Sequence, residues 1–256
     1  MILLFGGTSD SVEIAKEMAQ RGIRVTISTA TEYGMDIALA LDRPEIEVIC
    51  SRLDAIGMKK LARDIGADCI IDATHPFAVE VSKNAIICAS DMKLPYARYE
   101  REKTSDTEGA ICFCSFEEAA GFLKDTKGNV LLAIGSNNMD IFANSIEMER
   151  LYVRVLPTSD AVLKCEGLGF SPRNIIGMQG PFSKEMNRLI IRESSIKYMV
   201  TKDSGKRGGT AEKIEAARME GAQTIIIKRK DMDYPLVFES INDTVEFALG
   251  IGKIGE

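Results

Sequence analysis

The first eleven residues, MILLFGGTSDS, constrain the fold more than any other stretch of the chain. Ile2–Phe5 is a short apolar run that predicts a buried strand, and the turn Gly6–Ser9 follows it directly. Apolar residues then recur at helical spacing through Val12, Ala15 and Ala19. A strand, a glycine turn and a helix in this order aim backbone N–H groups and the positive end of a helix dipole at one point, which suits a phosphate.

The same turn has a second interpretation. It lacks the third glycine of the pattern G-x-G-x-x-G, because no glycine occurs in Asp10–Val12. A tight strand-to-helix turn with Ser9 or Asp10 as the helix N-cap would use the same residues. The turn by itself leaves both interpretations open, so the rest of the chain has to decide between them.

Strands and helices alternate through the rest of the chain. In the first half the patterns predict strands at Ile23–Thr29, Glu45–Cys50, Asp68–Asp72 and Leu94–Arg98, helices at Ala55–Ile65 and Phe77–Met92, and a helix or loop over Glu32–Leu41. After a polar linker candidate they predict strands at Ala110–Cys114, Val130–Ile134, Tyr152–Leu156, Asn174–Gly177, Tyr198–Thr201 and Gln223–Lys228, with helices between them and at Ile241–Leu249. This alternation predicts right-handed βαβ units and parallel sheets. The linker candidate is Glu100–Gly109.

Composition and charge exclude several classes of function. The net charge of −6 gives no general attraction to nucleic acid or anionic membranes. No apolar run approaches the roughly 18 residues of a membrane span, and the N-terminus has the pattern of a core strand, so we expect a cytoplasmic protein. The chain has a single histidine and no C-x-x-C, which argues against a metal centre. For the close pair Cys112 and Cys114 we predict buried reduced thiols in preference to a metal site.

Small polar residues follow most of the predicted strands. Ligands of open parallel sheets bind outside the carboxyl ends of the strands. The segments at those ends are Gly6–Ser9, Ser28–Thr31, Ala73–Pro76, Gly135–Asn138, Gly177–Pro181 and Thr201–Gly209. Helix capping explains part of this enrichment. Its density in both halves predicts two ligand-binding edges that face each other across a cleft.

The end of the second strand bears on the choice of cofactor. Dinucleotide-binding folds that prefer NAD commonly place Asp or Glu there, whereas this chain has the neutral Ser28 and Thr29. Absence of a carboxylate favours NADP, whose extra phosphate a carboxylate would repel. Glu32 follows closely and opposes this preference, and the nearest arginines in the sequence are Arg24 and Arg43.

Two further features admit both a structural and a functional interpretation. His75 stands before Pro76 at a strand end, where it either makes a structural hydrogen bond or orients cofactor or substrate. Thr201–Gly209 is either a basic surface loop or a ligand-binding loop, and its place between a strand and the helix from Thr210 favours the second. No G-x-S-x-G elbow supports a hydrolase.

Six short blocks together resemble the precorrin-6A reductase family, which includes cobalt-precorrin-6A reductase. They are Gly6–Ser9 (GGTS), Asp72–Ala78 (DATHPFA), Ser82–Ala85 (SKNA), Arg98–Arg101 (RYER), Gly180–Ser183 (GPFS) and Thr201–Gly205 (TKDSG). The blocks occur in the order of the family and span nearly the whole chain. DATHPFA combined with TKDSG is specific.

The resemblance implies reduction of one carbon–carbon double bond of (cobalt-)precorrin-6A to (cobalt-)precorrin-6B, with NADPH, on the way to cobalamin. The expected fold is α/β, with two doubly wound, Rossmann/flavodoxin-like parallel-sheet domains. Residues 1–99 would bind NADPH and residues 100–256 the tetrapyrrole, in a monomer or small homo-oligomer. The protein itself would need no metal, because the hydride chemistry belongs to the cofactor.

The expected site residues fall into three groups. Cofactor-binding residues are Gly6, Gly7, Thr8, Ser9, Ser28, Thr29, Thr74 and His75. Substrate-binding residues are Arg98, Tyr99, Arg101, Gly180, Ser183, Lys202, Gly205 and Arg207, with Lys206 beside them. Catalytic residues are Lys202, Asp203 and Ser204.

Two other functions stay open. A non-catalytic NADP(H)-binding sensor module on the same fold would bind the nucleotide without turnover, and the dense second edge would then lack a purpose. A different short-chain-type reductase is the third interpretation, and such enzymes usually carry a Tyr-x-x-x-Lys pair.

Overall fold

The computed structural model describes residues 1–104, 107–205 and 208–252. The chain divides into two compact units, one formed by Met1–Arg101 with the chain from Asp231 onward, the other by Glu102–Lys230. Each unit holds one six-stranded sheet whose paired strands are parallel. The predicted α/β class with two doubly wound parallel sheets is therefore confirmed.

The first unit has the strand order of a dinucleotide-binding sheet. Numbered in chain order, its strands are β1 Ile2–Phe5, β2 Val25–Thr29, β3 Ile46–Cys50, β4 Cys69–Asp72, β5 Tyr96–Tyr99 and β12 Val237–Phe238. Its helices are α1 Ser9–Gln20, α2 Glu32–Leu39, α3 Ala55–Asp64, α4 Val79–Met92 and α10 Ile241–Gly252. The sheet order is β12-β5-β4-β1-β2-β3, so the direction of winding reverses between β1 and β4.

Both faces of β1 are covered, which explains its continuous apolar run. Ile2 and Leu4 belong to a core with α1 and α10, whereas Leu3 and Phe5 belong to a core with α3 and α4. Because successive side chains of a strand point to opposite faces, four apolar residues in a row anchor β1 between two helical layers. This fixes the position of the turn at Gly6.

The second unit repeats the architecture with another strand order. Its strands are β6 Ile111–Phe113, β7 Asn129–Ala133, β8 Leu151–Val155, β9 Ile175–Gly177, β10 Ile196–Lys202 and β11 Gln223–Ile227. Its α-helices are α5 Phe116–Lys124, α6 Met139–Ala143, α7 Ser159–Gly167, α8 Lys184–Glu193 and α9 Thr210–Met219. The sheet order is β6-β11-β10-β7-β8-β9, so winding reverses between β7 and β10.

The predicted second domain, 100–256, is wrong at its C-terminal end. Val237 pairs with Arg98 and Phe238 with Tyr99, so β12 is the edge strand of the first sheet. Val245 of α10 packs in the same core as β1. A two-residue strand carries no periodicity, and an amphipathic helix fits either sheet, so the sequence pattern does not reveal this return of the chain.

Exposure of the cysteines differs in part from the prediction. Cys69, Cys88 and Cys165 are buried, but Cys114 is exposed and Cys112 only partly buried. The reason is that β6 is a three-residue strand at the edge of its sheet. Within the described ranges, no group of three or more His, Cys, Asp or Glu side chains could hold a metal ion. No helix in those ranges is long and apolar enough to cross a membrane.

Candidate active site

The turn between β1 and α1 is closed by a side chain of the helix itself. Thr8 is the N-cap of α1, and its Oγ1 accepts a hydrogen bond from the Ser11 N–H at 3.1 Å. Ser11 Oγ accepts in return from the N–H groups of Gly7 and Thr8, both at 3.1 Å. The alternative with Ser9 or Asp10 as N-cap is therefore wrong, because the extended backbone of Thr8 brings its hydroxyl under the first turn.

Glycine at the first position of the turn makes room for Ser11. A Cβ on Gly6 would lie 2.8 Å from Ser11 Cβ, closer than real Cβ atoms approach. Gly7 has a φ of +98°, a conformation that other residues rarely adopt. Counted from Gly6, Ser11 stands at the place of the missing third glycine, and its hydroxyl ties the turn to the helix.

The turns after β1 and β4 meet where the strand order reverses. Thr8 Oγ1 donates to the Ala73 carbonyl at 3.0 Å. Ser9 is exposed at the first position of α1. Such a reversal is the usual ligand site of an open α/β sheet. The structure thus brings five of the predicted cofactor residues, Gly6, Gly7, Thr8, Ser9 and Thr74, to one part of the edge.

The end of β2 lies against the same turn. Ser28 and Thr29 are buried, and Thr29 Oγ1 is 3.4 Å from the Thr31 carbonyl. A Cβ on Gly34, in the first turn of α2, would lie 3.0 Å from Gly7 Cα. Backbone of α2 therefore approaches the glycine turn closely, with Thr29 between them.

One cation at this edge was missed by the sequence analysis. Arg52 is the second residue after β3, and its Nε is 3.5 Å from the carbonyl oxygen of Ala30, just beyond β2. Arg24 and Arg43 precede β2 and β3, so they lie at the opposite, amino edge of the sheet. The signal was available, because Arg52 follows the third predicted strand just as Gly6–Ser9 follows the first.

A buried polar network supports the turn after β4. Asp72 Oδ1 accepts from the Thr74 N–H at 3.0 Å, from Thr74 Oγ1 at 2.7 Å and from Arg98 Nη1 at 2.7 Å. Tyr96 donates its hydroxyl to Asp72 Oδ2 at 3.0 Å, and Arg98 Nε donates to Glu100 at 2.8 Å. The bond from the Thr74 N–H fixes the backbone after β4, and the other bonds hold Asp72 and Arg98 in position for it.

Electrostatics of this network follow from its burial. Burial disfavours the charged form of Arg98, but the carboxylates of Asp72 and Glu100 outweigh it and raise the pKa of the guanidinium. Burial, with the charge of Asp72 added, raises the pKa of Tyr96, so its phenol stays protonated and donates. Arg98 therefore remains charged and is fully buried, which argues against the predicted contact with substrate.

The only histidine in the chain closes the next part of the turn. Phe77 N–H donates to His75 Nδ1 at 3.2 Å, and the two rings lie 5.8 Å apart at their centroids. An Nδ1 that accepts a hydrogen bond leaves the proton of a neutral imidazole on Nε2. Among the two interpretations of His75, this contact supports the structural one, and its contact with a cofactor stays a prediction.

Two other predicted substrate residues have internal contacts. Arg101 forms an ion pair with Asp10, the acidic residue in the first turn of α1, and both side chains are largely buried. Tyr99 is 7% exposed and packs in the core that contains α1 and α10. Tyr99 and Lys103 have the spacing Tyr-x-x-x-Lys, but Tyr99 ends β5 and its side chain is committed to the core.

The residues at this edge fit a phosphate-bearing nucleotide. The amino end of α1 presents its helix dipole at the reversal of strand order. Hydroxyl groups line the turn, and the last two residues of β2, Ser28 and Thr29, are neutral; the first carboxylate after the strand is Glu32, at the start of α2. The negative charge of Asp10 is neutralised by Arg101. Arg52 adds a cation two strands away from β1.

In the second unit, the segment after β10 is held by Asp203. One carboxylate oxygen of Asp203 accepts from the Thr104 N–H at 3.2 Å, from Thr104 Oγ1 at 2.8 Å and from the Gly205 N–H at 3.3 Å. Arg229 Nε donates to the Asp203 carbonyl at 2.9 Å, and Arg229 Nη2 donates to the Glu102 carbonyl at 3.0 Å. These bonds make Asp203 a positioning residue for the loop.

The same loop folds tightly onto the start of α9. Ser204 N–H donates to Thr210 Oγ1 at 3.3 Å, and a Cβ on Gly208 would lie 2.2 Å from Ser204 Cβ. Burial lowers the pKa of Lys202, the last residue of β10, to about 8. The Lys202 amine is therefore largely protonated at pH 7 and loses its proton just above it. Arg207, like Lys206, lies outside the described residues.

Gly180 and Ser183 lie in the segment that leads into helix α8. Ser183 is its N-cap and accepts from the Met186 N–H at 3.2 Å. A Cβ on Gly180 would lie 3.0 Å from the ring of Phe182. Their contact with substrate stays a prediction, as it does for Gly205.

Comparison with known proteins identifies the family. The family model described as "Precorrin-6x reductase CbiJ/CobK" matches residues 1–248. This chain belongs to the precorrin-6x reductase family. Members of the family are oxidoreductases that reduce a carbon–carbon double bond of precorrin-6A in cobalamin biosynthesis.

Individual relatives cover nearly the whole chain. Cobalt-precorrin-6A reductase of Priestia megaterium is 37% identical over 249 residues, which is 96% of each chain. The enzyme of that name in Methanococcus maripaludis is 37% identical over 250 residues, which is 96% of this chain and 98% of the relative. A solved structure titled "CobK precorrin-6A reductase" superposes with a TM-score of 0.82 at 22% identity, over 98% of this chain and 97% of that one, and supports the fold.

Proposed function

We propose that this chain reduces cobalt-precorrin-6A to cobalt-precorrin-6B with NADPH. The cobalt-loaded substrate is supported by the names of the two relatives that are 37% identical. A bound NADPH would supply the hydride, and NADP⁺ would leave. The second hydrogen arrives as a proton, so the product carries two more hydrogens than the substrate.

The observation that carries the cofactor proposal is the hydrogen bond between Thr8 Oγ1 and the Ala73 carbonyl. It joins the turns after β1 and β4 at the reversal of strand order and leaves the amino end of α1 facing that position. We assign the pyrophosphate to Gly6–Ser9. Choice of NADPH over NADH is supported by the neutral Ser28 and Thr29 and by Arg52.

We infer that a residue of the second unit donates the proton that completes the reduction. We assign that role to Lys202, because an amine with a pKa of about 8 is protonated at neutral pH and gives up its proton readily. Asp203 positions the loop through Thr104 and Gly205, and Ser204 fixes it to Thr210.

The first test is turnover by the purified protein without oxygen. Cobalt-precorrin-6A and NADPH are mixed with it, nicotinamide absorbance is followed, and the product mass is measured. Loss of absorbance with a gain of two hydrogens supports the proposal. Binding of NADPH with no loss, for both the cobalt-loaded and the metal-free substrate, contradicts it and favours the sensor module. A cytoplasmic location and the oligomeric state stay predictions.

A further inference from the structure

The second unit buries cations that neither the sequence analysis nor the proposed reaction uses. Arg154 lies on β8 and is 6% exposed, and Lys213 lies on α9 and is 9% exposed. Lys213 is four residues before Ala217, which packs in the core under α8 and α9, so its side chain starts from the buried face of its helix. Both residues lie near the carboxyl edge of the second sheet.

The contacts of Arg154 are neutral. Its Nη1 donates to Asn187 Oδ1 at 2.8 Å, and its guanidinium carbon lies 4.2 Å from the centroid of the Phe182 ring. Asn187 in turn donates to the Ser183 carbonyl at 2.9 Å, which fixes the amide for Arg154. Among the described residues, no carboxylate forms an ion pair with Arg154.

The contact of Lys213 is neutral as well. Its Nζ donates to the Gly208 carbonyl at 2.8 Å, and no carboxylate of the described chain pairs with it. The preceding residue on α9, Glu212, forms no ion pair with Lys213, and one oxygen of its carboxylate is buried without a hydrogen bond. Acidic groups are available on the outer side, where Lys184 binds Glu215 and Arg188 binds Glu220. The second unit thus pairs some of its cations, Lys184 and Arg188 on the outside and Arg229 inside, whereas Arg154 and Lys213 have no carboxylate partner among the described residues.

Burial of unpaired cations is unfavourable, and it perturbs their protonation. Burial first, and then the positive charges of Arg154 and Lys202, lower the pKa of Lys213 to about 7, against an opposing effect of Glu212. Burial alone lowers the pKa of Arg154 to about 10. An anion between these groups would reverse both effects, because it would favour their charged forms.

We propose that Arg154 and Lys213 form an anion subsite that binds a carboxylate of the tetrapyrrole. The identity of that ligand rests on the proposed function; the anion subsite itself does not. A phosphate of the nucleotide has the same charge, but the first sheet already offers it the amino end of α1. Phe182, stacked on Arg154, adds an aromatic surface, which suits a macrocycle with acidic side chains better than it suits a pyrophosphate.

The test uses tricarballylate, a small tricarboxylate, as a probe that does not depend on turnover. Its binding is measured by calorimetry on the full chain, on Arg154→Met and on Lys213→Met, with Lys164→Met, an exposed lysine of α7, as the matched control. We expect at least about tenfold weaker binding in the first two variants and no change in the control. Equal binding in all four proteins would overturn the proposal.

Thermal unfolding distinguishes a binding role from a structural one. Removal of an unpaired buried charge should raise the Tm of Lys213→Met without ligand, while binding is lost. A lower Tm with unchanged binding would mean that Lys213 only holds the Gly208 carbonyl, and would contradict the proposal. NADPH affinity should stay the same in both variants; a selective loss of NADPH affinity would assign the cations to the nucleotide.

A measurement on the wild type covers the case in which the variants do not fold. At pH 8, with Lys213 largely neutral, tricarballylate should bind with uptake of a proton, seen as a dependence of the binding heat on the ionisation heat of the buffer. Binding without uptake contradicts the subsite. If reductase turnover is absent but this uptake is seen, the proposed function fails and the anion subsite stands. If both variants turn over cobalt-precorrin-6A with unchanged KM, the proposed function stands and the anion subsite fails.

Discussion

The carboxyl edges of the two sheets differ in the partners of their buried cations, although each also holds a buried ion pair, formed at the second sheet by Arg229 and Asp203. At the first sheet, Arg98 contacts the carboxylates of Asp72 and Glu100, and Arg101 contacts Asp10. At the second sheet, Arg154 and Lys213 are almost as buried but contact an amide, an aromatic ring and a backbone carbonyl.

This difference separates groups that support a site from groups that are available to a ligand. A buried charge with its partner already in the protein holds a turn in place, as Arg98 and Asp72 hold Thr74. A buried cation without a carboxylate is unfavourable in the free protein and becomes favourable when an anion arrives. The sequence shows arginine and lysine at both edges and does not distinguish the two cases.

Replacement of Arg98 should give the largest effect on stability. Arg98→Met leaves Asp72 buried without its cation, and we expect a loss of about 3–5 kcal/mol in the free energy of unfolding, measured with urea. Arg21→Met, which removes the exposed pair with Glu246, is the control and should lose less than about 1 kcal/mol. Equal losses in the two variants would show that the first edge does not depend on its ion pairs.

Replacement of Lys202 should give the largest effect on turnover. The protonated amine is the acid, so wild-type kcat should fall as the pH rises through the pKa of about 8. Lys202→Met should lower kcat by about 100-fold or more and remove this fall. Lys202→Arg keeps the charge but cannot give up a proton near neutrality, so it should retain KM and lose kcat. A pH profile that is unchanged in both variants would exclude Lys202 as the proton donor.

A methyl group at Gly6 tests how closely the first edge is packed. Gly6→Ala places a carbon against Ser11, and we expect a loss of about 1–3 kcal/mol in stability with weaker NADPH binding. The same change made in a Ser11→Gly background should cost clearly less, because the clash partner is gone. Equal costs in both backgrounds would mean that the close approach of Gly6 to Ser11 is not what requires glycine.

Arg52 should have the smallest effect and the most selective one. Arg52→Met should weaken binding of NADPH by about tenfold and leave NADH unchanged, as measured by fluorescence titration. Arg24→Met, at the amino edge of the same sheet, is the control. If the affinities for NADPH and NADH fall alike, Arg52 attracts any dinucleotide electrostatically and does not recognise the additional phosphate of NADPH.

Local sequence patterns predicted most helices and strands, and the elements that they did not predict are short. The four-residue apolar run of β1 and the helical spacing of α1 are strong local signals, and both elements are present. Strand β12 has two residues, so its membership of the first sheet depends on pairing with β5, more than 130 residues earlier. The patterns also did not predict α6, whose five residues, Met139–Ala143, are too few to show a helical period.

The site was predicted less well than the fold, because residue type does not reveal a partner. Gly6, Gly7 and Thr8 follow a strand and open a helix, so their edge was predictable from position alone. Arg98, Tyr99 and Asp203 have the residue types of a binding site, yet the structure gives them internal contacts. Arg154 interrupts an apolar strand, and Lys213 is one of several charged residues of a helix without a clear apolar face, so nothing in the sequence says which way it points.

The sequence by itself determined the two α/β layers and the glycine turn after β1, because each depends on residues close together in the chain. It also determined the resemblance to the reductase family, because the residue types and the order of the six blocks can be seen without the fold. Only the tertiary structure decided that the C-terminal helix returns to the first unit and that Ser11 closes the turn. It alone decided which buried cations have carboxylate partners. Burial and pairing depend on residues distant in sequence. The sequence therefore does not distinguish a charged residue that supports the site from one that binds a ligand.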